Sequence, residues 1–199
     1  MGPVMDVTSV EQTKLWKHLK TEFSGSDDER LAETLAANTR LLCEEAATRM
    51  KAVHRIHPAF TLHDEVHLLR VTELMAELLG QNLAVLNPIE VALLILAAHA
   101  HDQGMVAEND HEVWKSSEFE LFGDTWRAEH PNLGEIEDQI GAGDLSAAER
   151  GALRFKTAEL EVAMRGEYLR QKHGERSAGF IRNEWGSDNR LEVAQISLC

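Results

Sequence analysis

The chain has 199 residues but only two cysteines, Cys43 and Cys199. Two thiols without paired spacing build neither a disulfide framework nor a zinc knuckle, and a reducing cytoplasm is the expected location. Basic charge is also scarce: 20 Lys and Arg stand against 34 Asp and Glu, a formal net charge of −14. Proteins that coat nucleic acids rely on clustered Lys and Arg, so general nucleic-acid binding is disfavoured. A nucleotide substrate remains compatible, because a metal ion can supply the missing positive charge. The longest apolar stretch, Val91 to Ala98, is far too short to span a bilayer. Residues Met1 to Val10 have neither the basic start nor the apolar run of a secretory leader. There is no β alternation, no internal repeat and no low-complexity tract.

Helical patterning fills the chain. Ser9 to Lys20 is a short amphipathic piece with Leu15, Trp16 and Leu19. Ser26 and Glu29 have capping-box spacing, and a long helix is expected after them through Leu31, Leu35, Leu42, Ala46, Met50 and Val53. His57-Pro58 should end it, since a residue before proline avoids helical geometry. Thr61 and Asp64 resemble another cap, followed by Leu68, Val71, Met75 and Leu78, with Gly80 as a stop. Asn87-Pro88 is a helix start. The helix after it is apolar nearly all round and belongs in the middle of the fold. From Gln103 to Ala142 the pattern is irregular and acidic, with Trp114, Phe119, Phe122 and Trp126, and reads as short helices and loops. Ser146 with Glu149 starts a helix expected to run toward His173, where Gly174 or Gly179 would bend it. Gly186 and Ser187 mark a break, and Arg190 to Leu198 begins a last helix.

Chemistry concentrates at His101-Asp102, the end of the central apolar helix. A carboxylate there is costly unless paired, and a cation would pair it. Imidazole and carboxylate suit Mn, Fe, Co, Ni or Zn better than Mg. Neighbouring helical residues point about 100° apart, but they can share an ion lying off the helix tip, and Gly104 would permit a sharp turn there. Alone, the dipeptide also fits a helix terminus with a hydrogen-bonded pair. His63 and His67 lie four apart on one helical face, which Arg70 shares within reach of a bound anion. His67 is a candidate ligand from a second helix, and Asp64 a candidate for orienting its ring; the same face also fits a plain polar surface. His173 and Arg176 repeat the pairing of histidine with arginine three residues on, which equally suits a solvated helix end. His18, His54, His57 and His130 read as surface or helix-end residues, His99 faces away from His101, and His111 is ambiguous.

Taken together, His67-Leu-Leu-Arg70-Val71 and Ala97-Ala-His-Ala-His101-Asp102-Gln-Gly104 resemble the HD superfamily of metal-dependent phosphohydrolases, over roughly residues 60 to 105. The stretch from Tyr168 to Ser177 is similar to a subset of that superfamily joined to other modules, including GHKL-type ATPases. The resemblance implies an all-α HD-domain helical bundle, with residues 1–59 as an N-terminal helical extension and 60–199 as the HD domain. It implies one or two divalent ions held by His67, His101, Asp102 and His173. Asp102, His63 and Arg70 would serve catalysis, and Arg70, His63 and Arg176 would bind the substrate phosphate.

The implied activity is hydrolysis of a nucleotide or another phosphate ester. A non-catalytic, ligand- or metal-binding regulatory domain that signals to a fused or interacting module is the alternative, and a metal-free helical scaffold a third. The superfamily's distal aspartate has no clear counterpart: Asp188 is the only aspartate after Asp144 and falls in an expected loop. The last helix is therefore expected to continue beyond residue 199.

Overall fold

A computed structural model describes residues 7–56, 65–106, 113–142 and 145–186. The described residues form helices and the turns between them, with no strand: α1 Lys14–Thr21, α2 Glu29–Ile56, α3 Glu65–Leu79, α4 Pro88–Ala100, α5 Ser117–Glu129, α6 Asn132–Gly141 and α7 Ala147–Phe180. The expected all-α bundle is what forms. The chain divides into two compact units, residues 1–106 with 173–199, and residues 107–172.

In the first unit α4 is the centre, packed by α1, α2 and α3. Its start is fixed by Asn87 and Glu90. The Asn87 side chain accepts from the Glu90 N–H at 3.0 Å, and the Glu90 carboxylate accepts from the Asn87 N–H at 2.9 Å. Pro88 follows at the first helical position, where its missing N–H costs nothing. Val91, Ala92, Ile95, Leu96 and Ala100 are buried with Leu15 and Leu19 of α1 and Leu42 and Ala46 of α2 in one apolar core. Cys43 belongs to this core, and burial pushes its thiol far above the usual range.

Local details depart from the expected pattern at three places. Ser26 accepts from the Asp28 N–H at 3.2 Å, while Glu29 meets the Ser24 hydroxyl, so α2 starts at Glu29, two residues later than a Ser26 cap would start it, and without the reciprocal box. On α3 the buried stripe is Leu68, Leu69, Thr72, Glu73 and Ala76, whereas Leu78 is 86% exposed. The cause of this rotation is Glu73. Its carboxylate accepts from the Lys14 backbone N–H at 2.9 Å and pairs with Lys14 Nζ at 3.0 Å, satisfying the start of α1 with a buried charge. Apolar periodicity alone cannot reveal a buried carboxylate. Third, α7 continues through Gly174 and Gly179 and ends in one wider turn, Ile181–Trp185. Gly80 does end α3, with φ of 52°. The expected Thr61–Asp64 cap, the break at Pro58 and the last helix lie outside the described residues.

The second unit is smaller. Ser146 and Glu149 cap α7 as expected, with Ser146 N–H to Glu149 at 2.9 Å and Glu149 N–H to Ser146 at 3.3 Å. Tyr168 is the hub of an aromatic cluster, edge-on to Phe119 at 5.1 Å and Phe122 at 5.3 Å, and Trp114 packs on Phe119 at 5.0 Å. A groove of about 760 Å³ lies here, lined by Phe122, Trp126 and Tyr168 among others, and contains none of the chemistry at the end of α4.

Glu73→Ala should cost about 2 kcal/mol, because it removes a buried, charge-assisted hydrogen bond and leaves the Lys14 N–H unmet. Leu78→Ala should stay within about 0.5 kcal/mol, as for other exposed positions. Urea denaturation of both variants checks this, and equal effects would mean that α3 is turned the other way.

Candidate metal centre

Helix α4 ends where the chemistry begins. His101 keeps helical geometry, with φ −58° and ψ −32°, and its N–H still bonds to the Ala97 carbonyl. Asp102 then leaves the helix at φ −105° and ψ 5°. This change of backbone angle lets two adjacent side chains face one point, as an ion at a helix tip requires. The next residues, Gln103–Met105, form a single 3-10 turn.

Gly104 has no positive φ, contrary to the sharp-turn expectation. Its role is close approach. A Cβ at Gly104 would stand 2.1 Å from the His173 carbonyl oxygen and 2.8 Å from the Ser177 nitrogen. Only a residue without a side chain fits there.

Three donor atoms converge. His67 Nε2 from α3 lies 3.2 Å from His101 Nε2 and 3.2 Å from Asp102 Oδ2. His101 Nε2 lies 2.9 Å from the same oxygen. Two donors each about 2.1 Å from one ion are about 3.0 Å apart at adjacent octahedral positions and about 3.4 Å apart at tetrahedral ones. The observed sides of 2.9, 3.2 and 3.2 Å lie close to the octahedral spacing, and two imidazoles with one carboxylate form a donor set suited to a divalent transition metal. The residues present therefore fit a metal.

The local chemistry points the same way. His101 Nδ1 is 2.8 Å from the Ala98 carbonyl, which can only accept, so Nδ1 carries a hydrogen and Nε2 is the ring atom turned to the other donors, where it donates to Asp102 Oδ2 at 2.9 Å and would take a cation in place of that hydrogen. Asp102 is 5% exposed at the negative end of the α4 dipole, an unfavourable place for a carboxylate without a cation or proton nearby. Its hydrogen bond holds His101 above the ordinary histidine range, against the opposing effect of burial. His99, two residues before His101, shifts down through burial, and its Nδ1 donates to the Ile95 carbonyl at 3.0 Å. It is not among the converging donors.

The other sequence candidates are placed as follows. His173 Nε2 lies 3.9 Å from the second Asp102 oxygen, Oδ1, outside the triangle. Arg70 is exposed on α3, three residues after His67, and forms no ion pair with a described residue. Arg176 turns its guanidinium to backbone: Nε donates to the Gly104 carbonyl at 2.8 Å and Nη2 to the Val106 carbonyl at 3.1 Å. His63, Asp64, His111 and Asp188 lie outside the described residues. His130 is exposed at the end of α5 and stacks on Trp126 at 3.9 Å.

Two residues with local roles escaped the sequence reading. Gln103 Nε2 donates to the carbonyls of Ala46 at 3.1 Å and His99 at 3.0 Å, tying the turn to α2. Ser177 ties the opposite side. The presence of Gln103 and Ser177 in the motif strings was visible, but their partners are backbone atoms far along the chain, which spacing does not reveal.

A helical bundle whose central apolar helix ends in a His-Asp pair, facing a histidine from a neighbouring helix, defines an HD-type domain. The chain belongs to the HD-CE family, whose model matches residues 57–197. No curated protein matches it, and no solved structure does.

Elemental analysis of the purified chain, after incubation with Mn, Co or Ni, should find bound metal. His67→Ala, His101→Ala and Asp102→Ala should each lose it, whereas His130→Ala should keep it. Equal metal in Asp102→Ala and the unaltered chain would place the ion elsewhere.

Proposed function

We propose that this protein is a metal-dependent phosphohydrolase or phosphodiesterase acting on a nucleotide or another phosphate ester. The observation that carries this reading is the convergence of His67, His101 and Asp102, with the exposed Arg70 three residues from His67. His67, His101 and Asp102 would hold the ion, with Mn, Fe, Co, Ni or Zn favoured over Mg by the two imidazoles. When bound, a divalent ion supplies positive charge that polarises a phosphoryl oxygen and acidifies water.

The chain's own residues do the rest. Asp102 turns Oδ2 to the histidine pair and Oδ1 toward His173, so His67, His101, Asp102 and His173 are the residues that would hold one or two ions. The Ala98 carbonyl holds the His101 ring with Nε2 inward. Arg70, one helical turn along α3, is suited to a substrate phosphate, as a planar guanidinium binds oxyanions through paired N–H groups. His63 is the second candidate for that contact. The net charge of −14 favours a small substrate whose negative charge is met locally by ion and guanidinium, over a long polyanion. We place the reaction in the cytoplasm.

The test is a screen of the metal-loaded chain against nucleoside phosphates, p-nitrophenyl phosphate and bis(p-nitrophenyl) phosphate. Phosphate or nitrophenol should be released, and Asp102→Ala should abolish release. Arg70→Ala should raise KM about tenfold with bound metal unchanged, a loss of about 1.4 kcal/mol in substrate binding. Bound metal with no turnover of any substrate would defeat the enzyme reading and favour a regulatory domain. Product release that requires both iron and dioxygen would mean oxidative cleavage instead of hydrolysis.

A further inference from the structure

Residues 173–177 of α7 bring His173 toward Asp102, and they also grip the turn that carries the metal donors. Ser177 is buried, and its hydroxyl donates to the His101 carbonyl at 2.7 Å while accepting from the Gly104 N–H at 2.8 Å. Arg176 reaches the carbonyls of Gly104 and Val106 from the same helix. Two adjacent side chains therefore satisfy four backbone groups between residues 101 and 106.

These contacts bear on the centre directly. The carbonyl held by Ser177 belongs to His101, whose ring is separately held by Ala98, so both ends of that residue are pinned. Gln103 ties the turn to α2 from the other side. Between them, Asp102 has little freedom to swing its carboxylate. Gly104 lets the helix come this near, since a Cβ would collide with the His173 carbonyl and the Ser177 nitrogen.

We propose that Arg176 and Ser177 are positioning residues of the metal centre, setting the turn 101–106 so that His101 Nε2 and Asp102 Oδ2 meet His67 Nε2. This rests on the metal reading above. Neither side chain is among the converging donors; each acts through backbone that a donor side chain stands on. Hydrogen-bond partners that orient metal ligands in this way change metal affinity by about 10- to 100-fold when lost.

The experiment is a Co²⁺ titration of the full chain, followed by its visible absorption, on the unaltered protein, Ser177→Ala, Arg176→Ala, Arg176→Lys and Leu133→Ala. Ser177→Ala should weaken Co²⁺ binding about 10- to 100-fold and shift the absorption bands. Arg176→Lys should fall between Arg176→Ala and the unaltered chain, because one ammonium cannot reproduce the guanidinium's two-point contact. Leu133→Ala empties core space in α6 and should lower the melting temperature while leaving the affinity and spectrum of the folded chain alone. The metal-free chain gives a second readout: the Gly104 amide should exchange faster with solvent in Ser177→Ala. Unchanged affinity, spectrum and exchange in Ser177→Ala overturn the positioning role and leave the metal reading standing. An unaltered chain that takes up no Co²⁺ overturns the metal reading, and this proposal with it.

Discussion

The Asp102 carboxylate is buried at the end of an apolar helix whose own dipole already makes that end negative. Compensation must come from outside the helix. Three imidazoles stand around it: His67 from α3, His101 from the helix terminus and His173 from α7. Each has to be delivered by a different stretch of backbone, so the packing of α3 and of residues 173–177 against α4 answers to a single charge. A divalent ion would satisfy the same demand, since His67, His101 and Asp102 already converge.

The helix that carries this charge is stiff for ordinary reasons. Its start is closed by a reciprocal cap and a proline, and its body is surrounded by α1, α2 and α3. A turn hung from such an anchor can be held to within small displacements by a few hydrogen bonds, and Gln103, Arg176 and Ser177 supply them. The polar network at the centre is thus built on the most apolar part of the chain, which excludes competing water from one side of it.

Much of this was legible in the amino-acid sequence, for reasons specific to each element. The caps at Asn87 and Ser146 were legible because capping is local chemistry between residues three apart. The central place of α4 followed from its apolar residues on every side. His101 and Asp102 were legible because a charge at the end of such a helix needs a partner. The face of α3 was misjudged, since Glu73 is drawn inward by Lys14, fifty-nine positions earlier, and that attraction leaves no periodic trace. Gly104 was visible as a glycine, but whether it serves a left-handed turn or a close approach depends on what packs against it. The backbone contacts of Ser177 and Arg176 were hidden for the same reason.

The Glu73 contact has a consequence for azimuth. A helix packed only by apolar side chains can roll about its long axis at modest cost, since hydrophobic contact has no direction. A carboxylate hydrogen-bonded to a fixed N–H does have direction, and it acts on α3 as a key acts in a shaft. His67 rides on that shaft. One residue of slip would turn its ring by about 100° and carry Nε2 away from Asp102. The start of α1, remote from the centre in sequence, therefore sets the angle at which the second histidine presents itself.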